Sequence, residues 1–163
     1  MLERSRLELC NKSEFMRRFL PIAQLIVGLA VVPQAFLFGA LGTLPLVGDL
    51  LTGRIGRDVA GPGKLYILGV AVASFSVDAS VVLCLVSAVL LIRKVSSFSV
   101  RLSIAGAISY WVYIAAHLLM ISALRGGLRV EFTLLDAVDY PIGVVAALIA
   151  YGLYSYTKAI DIS

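Results

Sequence analysis

Residues 65–92 form a run of twenty-eight amino acids with a single charge, Asp78, at its midpoint. About twenty apolar residues span the hydrocarbon core of a bilayer as a helix, so the run reads as a transmembrane helix. That restricts the fold severely, because backbone polar groups in lipid are satisfied only within helices or closed barrels. It also makes Asp78 conspicuous, since a carboxylate near the membrane centre is costly and needs a partner or a purpose.

The remainder of the chain has the same character. Of its 163 residues, 60% are hydrophobic and 15% charged, and the mean hydropathy is +0.97. Soluble domains sit nearer roughly 45–50% apolar. The charged residues are too few to coat a water-facing globule of this size, and the hydrophilic segments are too short to hold a second core. The net charge of +4 resides mostly on basic residues flanking apolar runs, where such charges set topology. No basic face interleaved with aromatics is present, so nucleic acid is not an expected partner.

Four spans are expected, near residues 19–44, 65–92, 102–124 and 140–156. Residues 1–18 form the N-terminal tail, 19–156 a single membrane domain and 157–163 the C-terminal tail. The first run, residues 19–48, is uncharged over thirty residues. A signal peptide's apolar core is about 7–15 residues long, so this run reads as a retained span. Pro21 falls in its first turn, Pro33 in its interior, and Gln24 and Gln34 are placed to bond neighbouring helices or freed carbonyls. Asp139-Tyr140-Pro141 reads as a cap followed by proline at the start of the last span. The glycine-rich segment 49–64 reads as a connector; it lacks the phosphate-loop pattern and no strand precedes it. The alternation in residues 128–132 suits a short extended or interfacial stretch. Lysine and arginine number nine on the side of the two tails and the second loop, against five on the other. This places both termini in the cytoplasm of a multi-pass cell-membrane protein. A reporter fused to either terminus and active outside the membrane would overturn that orientation.

The second span carries a row of small residues, Gly69, Ala73, Ser76, Ser80, Cys84 and Ala88, along one side of the helix. Small residues let helices approach closely where lipid supplies no hydrophobic drive. Gly143, Ala147 and Ala150 of the fourth span, with Ala146 beside them, offer a matching face. Asp78 is rotated about 200° from Ser76 and Ser80, so both faces of the second helix want protein or water. The expected fold is therefore an all-α integral membrane protein, a four-transmembrane-helix bundle with the second helix central.

The third span has a seam of Ser103, Gly106, Tyr110, Tyr113, His117, Met120 and Leu124, spaced by alternating threes and fours. His117 is the chain's one histidine. Counting residues along antiparallel helices at about 1.5 Å each places His117 nearly level with Asp78. Asp78 and His117, with Tyr113 and Ser74 around them, are the expected polar site. It serves either as an interhelical register contact or as a proton or ion site.

No motif for nucleophilic catalysis, metal binding or thiol redox chemistry is present. His117 and Met120 cannot ligate opposite faces of one haem, because they share a helix face. No enzyme activity, cofactor or metal is expected. The expected function is a small multi-pass accessory, structural or assembly subunit of a membrane complex, with protein partners or further copies of itself in the bilayer. The alternative is a proton- or ion-coupled transport protein that uses Asp78 and His117.

Overall fold

A computed structural model of the chain describes the backbone of residues 2–38, 62–124 and 136–161, and the side chains of residues 18–38, 67–122 and 137–158. Four helices occupy these segments: α1 (Leu2–Phe38), α2 (Pro62–Arg93), α3 (Ser97–Leu124) and α4 (Asp136–Asp161). Each contains a stretch long and apolar enough to cross a membrane, namely Arg18–Phe38, Ile67–Arg93, Ser97–Ser122 and Ala137–Lys158. The expectations for residues 39–61 and 128–132 lie outside the described residues.

The boundaries differ from expectation at three places. The N-terminal tail is helical and continuous with the first span, and α1 runs through both Pro21 and Pro33. The second loop shrinks to residues 94–96, because serines cap the next helix. The backbone N–H of Ser99 donates to Ser96 Oγ at 3.2 Å, and the backbone N–H of Ser96 donates to Ser99 Oγ at 3.0 Å. This is a reciprocal cap built from two serines. Ser87 Oγ, from α2, donates to the Ser99 carbonyl at 2.8 Å and ties the turn back to the helix before it. Finally, α4 begins at Asp136, so Asp139 is the fourth residue of the helix rather than its cap.

The principal contacts join α1 to α2, α2 to α3, α3 to α4 and α4 back to α1, with α2 and α3 the most extensively packed pair. The helices therefore form the four sides of a bundle, in which α2 packs extensively on two sides, against α1 and α3. α2 buries no larger share of its span than α4, and less than α1 or α3. The reason lies on its outer side, where Leu68, Val72, Phe75, Val82, Val86 and Val89 repeat by threes, fours and sevens and are exposed. That is the pattern of a lipid-facing stripe. Asp78 borders it and is half-buried.

The inner faces follow heptad spacing. On α1, Leu20, Gln24, Val27, Val31 and Gln34 are buried at alternating steps of four and three; on α4, Asp139, Gly143, Ala146, Ala150 and Leu153 do the same. Alternating steps keep one seam facing the partner helix. The seam of α3 from Ser103 to His117 is likewise buried. Core packing divides into two clusters. One gathers Leu20, Leu91, Val100, Ile149 and Leu153 toward the α2–α3 turn, and the other gathers Val31, Val77, Tyr110, Tyr113 and Ile114 toward the opposite end.

Of the small-residue row on α2, Gly69, Ala73, Ser80, Cys84 and Ala88 are buried and Ser76 is half-buried. The row meets α3. A Cβ on Gly106 would lie 2.8 Å from Cys84 Sγ, and one on Gly69 would lie 3.3 Å from Met120 Cβ. Ser80 Oγ donates to the Gly106 carbonyl at 3.0 Å across the same interface. The small face of α4 turns to α3 instead, with Gly143 against Ile114 and Trp111. Ala146 and Ala150 are buried, whereas Ala147 is exposed.

Candidate functional site

Asp139 is 2% exposed and is held by three donors from two other helices. Gln34 Nε2 of α1 donates to Asp139 Oδ1 at 3.2 Å. Tyr110 of α3 donates its hydroxyl to the same oxygen at 3.2 Å, and Tyr113 donates to Oδ2 at 2.8 Å. Each of these residues lies on the buried seam of its helix, so the inward heptad register brings them together. Tyr110 and Tyr113 sit one turn apart, which lets both hydroxyls reach one carboxylate. The position of Asp139 in the first turn of α4 adds the positive end of the helix dipole.

Among the described residues no basic side chain contacts Asp139. Gln34 shows a further feature. Its Oε1 is buried and has no hydrogen-bond partner. The amide orientation follows from chemistry: rotating it would set Oε1 against the carboxylate, oxygen to oxygen, so the NH₂ group must face Asp139. An acceptor is thereby left over, inside the bundle and beside the Asp139 side chain.

Aromatic rings wall the cluster. Phe38 meets Tyr113 edge-on at 5.2 Å, Tyr110 lies tilted against Tyr113 at 5.5 Å, and His117 stacks parallel to Tyr113 at 5.9 Å. The edge of Phe38 also approaches His117 at 5.6 Å. Ser74 Oγ of α2 donates to the Phe38 carbonyl, at the last described residue of α1, at 3.2 Å.

The four expected site residues thus fall into two places. Tyr113 and His117 join the cluster and Ser74 packs beneath it through Phe38, but Asp78 stands at the edge of the lipid-facing side of α2. Among the described hydrogen bonds and ring contacts, none joins Asp78 to His117. The carboxyl group that the structure buries between helices is that of Asp139. A signal for it exists in the chain: extending the Gly143–Ala146–Ala150–Leu153 spacing one step back lands on residue 139. Reading Asp139-Tyr140-Pro141 as a helix start hides it.

A second, smaller polar contact lies nearer the α2–α3 turn. Ser103 Oγ of α3 donates to Gln24 Oε1 of α1 at 3.0 Å, both side chains buried. Such bonds fix the register of neighbouring helices in lipid. Among the described residues, no three His, Cys, Asp or Glu side chains converge as a metal site would require.

The described outer surface includes a shaped feature. Between α3 and α4 runs an apolar groove of about 410 Å³, lined by Ile104, Ala107, Ile108 and Trp111 on one side and Ala147, Ala150, Tyr151 and Tyr154 on the other.

No protein-family model matches the chain, and neither the curated proteins nor the solved structures contain a significant match.

Proposed function

We propose that this protein is a non-catalytic subunit of a membrane complex, seated in the cell membrane with both termini in the cytoplasm, and that the α3–α4 groove receives a transmembrane helix of another subunit. The groove is the observation that carries this reading. Alanines on its floor allow close approach. Trp111, Tyr151 and Tyr154 provide large rigid walls of the kind that dominate contact energy in interfaces.

The test is a substitution that fills the groove without touching the core. Ala147 is exposed, so Ala147→Trp should leave thermal stability within about 0.5 kcal/mol of the parent, as surface changes usually do. It should also abolish stoichiometric co-purification of the partner from native membranes in mild detergent. If the purified parent is a monomer with lipid alone, or a dimer of itself that Ala147→Trp separates, the heteromeric reading is lost.

A second reading, ion-coupled transport, is supported by the buried carboxylate. It rests on Asp139 as well as on the expected pair of Asp78 and His117. An ion flux in proteoliposomes that Asp139→Asn removes would carry it; a parent protein without flux would end it.

A further inference from the structure

We propose that the α3–α4 groove binds one anionic phospholipid, with an acyl chain against Trp111 and Tyr151 and the phosphate between Arg101 and Lys158. In a bilayer, lipid fills this groove in any copy of the chain whose partner helix has not arrived, and the residues at its mouth decide which lipid.

Two observations point to this ligand. The first is the depth of the groove. Its α3 wall runs from Ile104 to Trp111, roughly 10 to 21 Å along the helix from its start at Ser97. With Ser97 in the headgroup layer, about 5–7 Å thick, that is the depth of the acyl chains of one leaflet. The second is a pair of basic residues at its mouth. Arg101 lies three residues before Ile104 and seven before Ile108, and Lys158 lies four after Tyr154 and seven after Tyr151. Each continues the groove-lining face of its helix by one turn, and both are exposed. The two helices run antiparallel, with Gly143 against Trp111. Lys158 is fifteen residues beyond Gly143 and therefore level with Ser96, fifteen before Trp111. It stands about 7.5 Å further out than Arg101. The Cα–Cβ bonds of a helix tilt toward its N-terminus, so Arg101 leans outward and Lys158 leans back. The two long side chains converge on one position over the groove.

The chemistry of the mouth selects the headgroup. Basic residues over a cleft between transmembrane helices suit a lipid phosphate, and the arginine offers paired N–H donors to its oxygens. A zwitterionic lipid brings its own ammonium to the same place, where it meets like charge. Tyr154 lies at the boundary between chain and headgroup, where an amphipathic ring is at home. A second copy of this chain fits the groove less well. Two parallel copies related by a two-fold axis along the membrane normal would bring both Arg101–Lys158 pairs to the same end of one interface, and like charges repel there. The groove itself, at about 410 Å³, falls within the roughly 300–1,000 Å³ of ligand clefts.

Trp111 is the chain's one tryptophan and lines the groove, so its fluorescence reports the occupant. The full-length protein, purified without a partner, is placed in phosphatidylcholine bilayers. Increasing fractions of phosphatidylglycerol or phosphatidylcholine with brominated chains are then added, since bromine quenches tryptophan only at close contact. The expected result is half-maximal quenching at about a tenfold lower fraction of the brominated phosphatidylglycerol, a preference of the size that two basic residues at a membrane surface supply. Arg101→Gln with Lys158→Gln should bring the two curves together. Both side chains are exposed, so the core is spared. Arg93→Gln with Lys94→Gln, at the end of α2 and off the groove, should keep the preference. Equal curves in the parent would overturn the proposal. A preference that survives Arg101→Gln with Lys158→Gln, or is lost in Arg93→Gln with Lys94→Gln, would show charge acting from the surface at large and overturn it equally. Quenching by neither lipid would mean that protein covers the groove, with the same consequence. None of these results bears on whether a partner co-purifies, so the lipid and the partner helix stand or fall separately.

Discussion

Replacing Asp139 with alanine is expected to destabilise the bundle by about 2–4 kcal/mol, the largest effect of any single polar substitution among the described residues. The magnitude follows from the hydrogen-bond ledger of one residue. Interhelical bonds in membranes average about 0.6 kcal/mol and reach about 1.7, and Asp139 accepts three of them, one of 2.8 Å and two of 3.2 Å. Removing the acceptor also leaves Gln34 Nε2 and two phenol hydroxyls buried without it, and unmet donors cost more than the bonds were worth. Asp139→Asn keeps the shape and one oxygen, and the tyrosine hydroxyls can rotate to accept from its NH₂ group, so its cost should be nearer 1 kcal/mol. Tyr110→Phe and Tyr113→Phe should each cost about 1 kcal/mol or less. Reversible unfolding in mixed micelles, followed by circular dichroism, reads all four. A cost for Asp139→Ala within about 0.5 kcal/mol of zero would show that the cluster does not form.

Gly106→Val is the second large effect, expected at about 3 kcal/mol, and its mechanism is steric rather than polar. A Cβ at residue 106 would stand 2.8 Å from Cys84 Sγ, 3.3 Å from the Cys84 backbone nitrogen and 3.4 Å from Leu83 Cβ. Two of those atoms belong to the backbone or its first side-chain carbon and cannot swing aside, so α2 and α3 must separate. Separation also lengthens the Ser80 hydrogen bond to the Gly106 carbonyl. Gly28 provides the contrast. Its added Cβ would meet chiefly Leu85, at Cδ2 2.8 Å and Cγ 3.2 Å, and the end of a half-buried leucine can rotate. Gly28→Ala is accordingly expected within about 1 kcal/mol of the parent, helped by the higher helix propensity of alanine. Cys84→Ala deletes the nearest clashing atom, so combined with Gly106→Ala it should recover part of that variant's loss. A double-mutant cycle with zero coupling would contradict the packing.

How much of this arrangement can be read from the chain depends on the kind of signal. The apolar runs are long and separated by charges, so the existence and number of spans follow directly from bilayer dimensions. The buried face of α3 is legible because Ser103, Gly106, Tyr110, Tyr113 and His117 hold a strict three-four spacing. The position of α2 is less so. Small residues on one side and a carboxylate on the other suggested burial on both, whereas the stripe through Phe75, Val82 and Val86 faces outward. In a membrane an apolar side chain is equally at home in the core and against lipid, so hydrophobicity does not distinguish the two. Asp139 escaped for a different reason. An acidic residue two positions before a proline has the local chemistry of a helix start, and only the long-range register of α4 reveals that it points inward.

The polar cluster also imposes an order on assembly. Translation proceeds from the N-terminus, and Gln34 precedes Asp139 by 105 residues. Gln34, Tyr110 and Tyr113 are therefore synthesised before the residue that accepts their hydrogen bonds. The α2–α3 hairpin, joined by its three-residue turn, is a unit that can insert and pack early. The hydrogen bonds of its inward tyrosines to Asp139 form only when the last helix arrives. A chain cut short before α4 would lack the acceptor of three interhelical hydrogen bonds, so the cluster forms only once α4 is present.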